Sequence, residues 1–233
     1  MATEQLPLPV VPRAPTGDAP ARRLPERIFP MLPTEVASPF DDPDYLFEAW
    51  WPGARAIASC ERGVLRLQVA GLADAGASFP ELATLPAQLA EDGTMLDGTL
   101  LVLDPDGRPD ADLLRQRLAG AGRPGRPAYV ASDLLWAGGQ SVRLNAFRVR
   151  RAWLEAILEP GDRATVGRGY GGDGTLLAEA LASLGVDGIS ARHLGARYRS
   201  GPAGDAWLRA PIVPAEPRPR PTLALILRLP LGE

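Results

Sequence analysis

The apolar runs of this sequence are short, and glycine or proline punctuates most of the gaps between them. Such punctuation favours a chain of strands and brief helices joined by tight turns over long helices or regular strand–helix repeats. Ala54–Gln68 alternates on both sides of Glu-Arg-Gly, as an antiparallel hairpin does. Thr99–Pro109 reads as a strand entering a tight turn, and Ala128–Gly139 as a buried strand. Helical spacing marks Phe79–Ala90, where Pro86 interrupts the hydrogen-bond ladder. It also marks Asp110–Ala119, with acidic residues in the first turn, and Phe147–Leu158, stopped by Glu-Pro-Gly. Asp173 is placed to cap a further helix that ends at Gly185. Gly167–Thr175 reads as a glycine-rich loop, lacking both the dinucleotide fingerprint and a P-loop lysine. Strands are expected from Asp187 and from Trp207, and a last one over Thr222–Leu229 completes a sheet. The expected class is α+β, mainly antiparallel sheets flanked by helices.

The chemistry is bounded by an absence. All 25 basic residues are arginine, and the 233-residue sequence holds no lysine. Schiff bases, lysine nucleophiles and lysyl-nucleotide adducts are therefore closed to this chain. Arginine cannot take over, because its guanidinium stays protonated and delocalised. One cysteine, Cys60, excludes an intrachain disulfide, and one histidine, His193, excludes a multi-histidine metal site. Cys60 falls in the first hairpin as a small buried residue. The net charge of -3 and pI near 5.4 oppose an electrostatic nucleic-acid binder unless a local basic patch works against the global sign. No apolar run reaches membrane-spanning length and the N-terminus lacks a signal-peptide pattern, so a cytoplasmic location is expected and no membrane partner. Residues 1–27, rich in Pro, Ala and Arg, read as a disordered arm. Residues 28–213 form the expected domain, and 214–233 a proline-rich linker with a terminal strand.

Eight segments then fall into one order: PMLPTEV, DDPDYLFEAWWPGARA, FPELATL, LDGTLLVLDPDGRP, YVASDLLWAGG, RRAWLEAIL, LGVDGISARHLGARYRSG and AWLRA. Together they resemble the nucleotidyltransferase (adenylation) domain of ATP-dependent DNA ligases, most of all the bacterial end-joining type. The resemblance spans roughly Pro30–Pro211 and implies that family's ATP-grasp-like α+β fold. In that family a lysine follows the Phe-Glu pair and attacks the ATP α-phosphate. Here Trp50 stands at the lysine position and Pro52 at the motif's aspartate, while Glu48, Gly53 and Arg55 match.

The departures continue along the chain. Val69 and Ala70 replace a serine–arginine pair that contacts ribose and phosphate. Thr99 replaces a glutamate after Asp97-Gly98, and Ser132 an adenine-stacking aromatic. Asp187 replaces a metal-facing glutamate, and Arg192 a lysine. Arg209 and Pro211 stand at two phosphate-binding lysines. The resemblance thus assigns Glu48, Trp50, Arg55, Thr99, Ser132, Asp187, Arg192 and Arg209 to the family's ATP pocket, with no catalytic residue and no metal ligand. Only about 22 residues follow the last motif, so no oligonucleotide-binding barrel is expected within the sequence.

Three readings stay open. The first is a catalytically inactive ligase-like protein with a binding or scaffold role in DNA repair, needing no cofactor and taking a protein partner. The second is a noncovalent sensor, weakly binding ATP or AMP with Mg²⁺ through an Arg192/Arg209 fork assisted by Arg55. The third is an active ligase with a nucleophile other than lysine, for which His193, Cys60 and Ser190 are the candidates. DNA contact would use Arg143, Arg148, Arg150, Arg151, Arg192, Arg197, Arg199 and Arg209, with Arg148 and Arg151 forming a helical stripe. Trp50 and Trp51 either enter one narrow apolar cleft or, with Pro52, leave Trp50 as an exposed patch.

Overall fold

The computed structural model describes residues 23–70, 72, 74–213 and 220–229. In chain order its strands are β1 (Met31–Leu32), β2 (Thr34–Glu35), β3 (Asp42–Ala49), β4 (Ala54–Glu61), β5 (Val64–Val69), β6 (Thr94–Leu103) and β7 (Arg126–Ala137). They continue as β8 (Gln140–Ser141), β9 (Ala164–Val166), β10 (Gly169–Gly172), β11 (Gly188–His193), β12 (Gly201–Pro202) and β13 (Trp207–Pro211). The α-helices are α1 (Ala111–Leu118), α2 (Phe147–Ile157), α3 (Gly174–Ser183) and α4 (Leu223–Leu227). Pro86 lies inside a 3₁₀ helix, Pro80–Gln88, rather than an α-helix.

Two sheets dominate. One has six strands in the order β5-β4-β6-β7-β8, with β9 beside β7 as the sixth. The other has five, in the order β10-β3-β11-β13-β2. Most pairs are antiparallel, as the hairpins require; β13–β2, β7–β9 and the separate pair β1–β12 are parallel. The α+β class with antiparallel sheets is thus what forms.

Strand alternation places the site. On β6, Leu96, Leu100 and Val102 enter a core shared with the 3₁₀ helix, α1 and α2. The opposite parity, Met95, Asp97, Thr99, Leu101 and Leu103, faces the five-stranded sheet. Leu101 and Leu103 join Phe47, Trp51, Ile189 and Leu181 in a second core between the sheets. Met95 joins Leu24, Ile28, Met31, Tyr198 and Trp207 in a third. Asp97 therefore lies between two apolar cores, fully buried. Gly98 beside it is demanded by sterics, because a Cβ there would sit 2.3 Å from the Val130 carbonyl oxygen.

Several expectations are corrected. Thr222–Leu229 is not a strand. Leu223–Leu227 forms helix α4, with the Thr222 hydroxyl accepting from Leu225 N–H, and Ile226 and Leu229 buried in the second core. A continuous apolar run reads alike as a buried strand or a short helix, and packing decides. The glycine-rich loop contains β10, an edge strand antiparallel to β3. Asp173 stands at the N-cap of α3 but makes no side-chain cap bond. Asp41 does so instead, its carboxylate accepting from Thr175 N–H at 2.8 Å and from the Thr175 hydroxyl. The folded part begins before residue 28, since Leu24 is buried and its N–H donates to Glu61. The remainder of the expected arm, residues 1–22, lies outside the described residues, as do 214–219 of the expected linker.

Candidate functional site: a cleft closed by ion pairs

Asp97 on β6 and Asp133 on β7 are direct cross-strand partners, and neither is exposed. Two adjacent carboxylates in an apolar setting require cations. Three arginines supply them. Arg150 of α2 grips Asp133 through two parallel bonds of 2.8 Å, the bidentate geometry that suits guanidinium and carboxylate. Arg192 of β11 reaches the same carboxylate at 3.3 Å and donates to the Ser132 hydroxyl at 3.2 Å. Arg55 of β4 pairs with Asp97, whose same oxygen accepts from the Tyr198 hydroxyl at 2.5 Å.

Burial pushes the Asp97 carboxyl above its ordinary value, and Arg55 and Arg192 pull it back only in part. Burial likewise holds the Tyr198 hydroxyl far above the usual phenol range, reinforced by the Asp97 charge. Arg192 is drawn below its ordinary value by burial, against the pull of Asp133.

Aromatic rings fill the rest. The Arg55 and Arg192 guanidinium carbons lie 4.1 and 4.2 Å from the Trp207 ring centre. Trp207 is held by an indole N–H bond of 2.7 Å to Ser190. Trp50 lies tilted by 32° against Trp207, with ring centres 6.1 Å apart, and Arg209 covers Trp50 at 4.6 Å.

The residues assigned to the ATP pocket thus separate. Arg55, Ser132 and Arg192 meet in the ion-pair cluster, with Thr99 beside Arg55 in register. Glu48 is buried and spent on Arg151 at 2.7 Å, which also bonds Glu155 and the Gly167 carbonyl. Arg209 pairs with exposed Glu35 at 2.7 Å rather than forking with Arg192. Asp187 is exposed, and with Trp50, Pro52 and Arg220 it lines a hollow of about 20 Å³. The two expected orientations of the tryptophans are both replaced by a third. Trp51 enters the second core, 8% exposed, while Trp50 packs half-buried on the third.

The alternative nucleophiles are equally engaged. Cys60 is buried, its thiol pushed up to about 12 chiefly by burial. Ser190 serves Trp207. His193 accepts from Gly195 N–H at 3.0 Å and packs edge-on against Tyr45. Among the described residues no group of three or more His, Cys, Asp or Glu side chains is arranged to hold a metal ion.

The expected helical stripe is corrected too. Arg150 and Arg151 are buried, 1% and 5% exposed, so Arg148 stands on the surface without them. Arg148, Arg197 and Arg199 are exposed, while Arg143 is half-buried over the Trp136 ring at 4.5 Å. Tyr198 N–H donates to the Arg143 carbonyl and Arg148 N–H to the Leu194 carbonyl, which ties the two loops together. Residues 138–154 and 188–204 contain no acidic residue. The sequence missed Asp97, Asp133, Arg150 and Tyr198 as one network, and Arg151 with Glu48 as a second buried pair. The available signal was a charge inside each of two apolar strands, which burial must pair.

This architecture is that of a DNA ligase nucleotidyltransferase domain. The structure superposes on the mycobacterial DNA ligase D complexed with ATP and MES with a TM-score of 0.69, 28% identity, and 80% and 60% of the two chains covered. It matches the ligase domain of Mycobacterium tuberculosis LigD with a TM-score of 0.68, 28% identity, and 79% and 59% covered. In sequence it is 29% identical over 186 residues to the multifunctional non-homologous end joining protein LigD of Mycolicibacterium smegmatis, covering 79% of this chain and 24% of that protein. The Pseudomonas aeruginosa LigD is 33% identical over 192 residues, with 80% and 22% covered. The chain is therefore homologous to the ligase (nucleotidyltransferase) domain of bacterial end-joining ligases. It spans about a quarter of the length of these curated relatives. No family model matches it.

Proposed function

We infer that this chain is a ligase-like binding protein that has lost nucleotidyl transfer and acts in DNA repair by contact. One observation carries the reading. Trp50, which the resemblance matches to the family's nucleophile, is seated on Trp207, and the arginines around these rings are already paired with Asp97, Asp133 and Glu35. Covalent transfer needs a nucleophile and free positive charge around a triphosphate. In this arrangement the matched position offers no nucleophile, and each of these guanidinium groups already has a carboxylate partner. The exposed arginines Arg148, Arg197 and Arg199 support DNA as the contact, since phosphate backbones are gripped by exposed guanidinium groups.

The test is to incubate the protein with α-labelled ATP, Mg²⁺ and nicked duplex, and to follow DNA by anisotropy in parallel. The reading expects no labelled protein, no sealed strand, and salt-sensitive binding that a combined Arg197→Ala/Arg199→Ala change weakens. A labelled adduct would overturn it. The noncovalent sensor is favoured by one feature, three guanidinium groups around two buried carboxylates. It predicts saturable ATP binding lost in Arg192→Ala.

A further inference from the structure

Beside the ion-pair cluster, and sharing Arg55 with it, a groove of about 660 Å³ opens at the end of the first hairpin, lined by Ile28, Phe29, Pro30 and Leu32 on one side and by Val69, Ala70 and Leu72 on the other. Three exposed large apolar side chains gather there: Phe29 at 72%, Leu32 at 41% and Leu72 at 39%. Clustered exposed apolar surface marks a binding face, whereas single exposed residues do not. Hydrogen bonds tie residues on both sides of the groove. Ile28 exchanges two bonds with the Gln68 amide, 3.1 and 2.8 Å, and Leu72 and Val69 bond one another's backbones.

We propose that this groove is the docking site of the chain's own segment Leu6–Pro12, Leu-Pro-Leu-Pro-Val-Val-Pro, which lies outside the described residues. Chemistry and reach support it. Such a segment offers apolar side chains alternating with prolines, and proline-rich segments seat in apolar, aromatic-bearing grooves at low ordering cost. The described chain starts at Arg23, and Leu24 is pinned to Glu61 at the far end of the same hairpin. From there the groove begins four residues on, at Ile28, a span of about 13 Å. The ten intervening residues Arg13–Arg22 reach up to about 33 Å when extended. The segment is thus held at high effective concentration beside its site.

The experiment uses the full chain with one introduced cysteine pair, Val10→Cys with Leu72→Cys, under mild oxidation. Native Cys60 is buried and does not compete. The control pair is Val10→Cys with Val64→Cys. Val64 is 66% exposed and is the strand partner of Glu61, so it lies nearer the tether than the groove does. Chance encounters alone favour the control pair. Docking predicts the reverse, with Val10–Leu72 linking faster, within the monomer, independently of protein concentration. Adding Phe29→Asp to the groove pair should cut that rate roughly tenfold, the change that about 1.4 kcal/mol of lost docking gives. Equal or faster linking of the control pair would overturn the proposal. So would covalent dimers that rise with concentration, which would assign the groove to a second copy.

Discussion

Two concavities of this molecule have opposite characters. The cleft between the sheets is charged and closed, with Asp97, Asp133 and Arg192 at 2% exposure or less. The groove beside the first hairpin is apolar and open, with Phe29 at 72%. Arg55 takes part in both, its guanidinium on Asp97 and Trp207 and its side chain on the groove wall. The contrast teaches where energy is held. Side chains in the cleft satisfy one another, so removing one leaves a buried charge behind. The exposed apolar side chains of the groove, Phe29, Leu32 and Leu72, leave no charge behind, so removing one changes binding far more than folding.

The largest effect that would break this contrast is expected at Asp133. Asp133→Ala leaves Arg150 and Arg192 buried without their carboxylate, and should cost about 3–5 kcal/mol in urea unfolding. Loss under about 1 kcal/mol would mean that water already screens the cleft. Arg192→Met removes one of three cations while Arg150 keeps its two bonds to Asp133. Its cost should be smaller, about 1–2 kcal/mol by the same measurement.

A pH series sharpens the comparison. The Asp97 carboxyl is raised in the fold above its ordinary 3.8, so between that value and the folded one the native state keeps a proton that the unfolded chain has released. Its contribution is fully present below that value and lost as pH rises through the folded one. Unfolding free energy measured against pH should carry this slope in the wild type and lack it in Asp97→Asn. Cys60 should resist thiol labelling at pH near 8 until the protein unfolds, because burial keeps it protonated. The smallest effect belongs to the groove. Phe29→Ala should leave stability within about 0.5 kcal/mol of wild type in the same unfolding assay.

The fold was largely legible because alternation, turn residues and caps are local. The Ala54–Gln68 hairpin and the helix behind Asp110 follow from their own residues. Thr222–Leu229 did not, because its apolar run suits strand or helix until the second core receives Ile226 and Leu229. The site was legible as a set of positions implied by resemblance but not as a network. Asp97 and Asp133 stand 36 residues apart in sequence and meet only through strand register, and Arg150 arrives from a helix whose apolar stripe gives no hint of an inward guanidinium. Arg151, which reads as surface charge, is held by Glu48 on a strand about a hundred residues earlier.

The most direct test of the closed cleft is an isothermal titration of the full chain with ATP and Mg²⁺, run beside Arg192→Ala. Ion pairs that already occupy the guanidinium groups predict no saturable heat up to about 1 mM, a free energy no better than about -4 kcal/mol. Saturable micromolar binding that disappears in Arg192→Ala would show that the cleft opens and still holds a triphosphate.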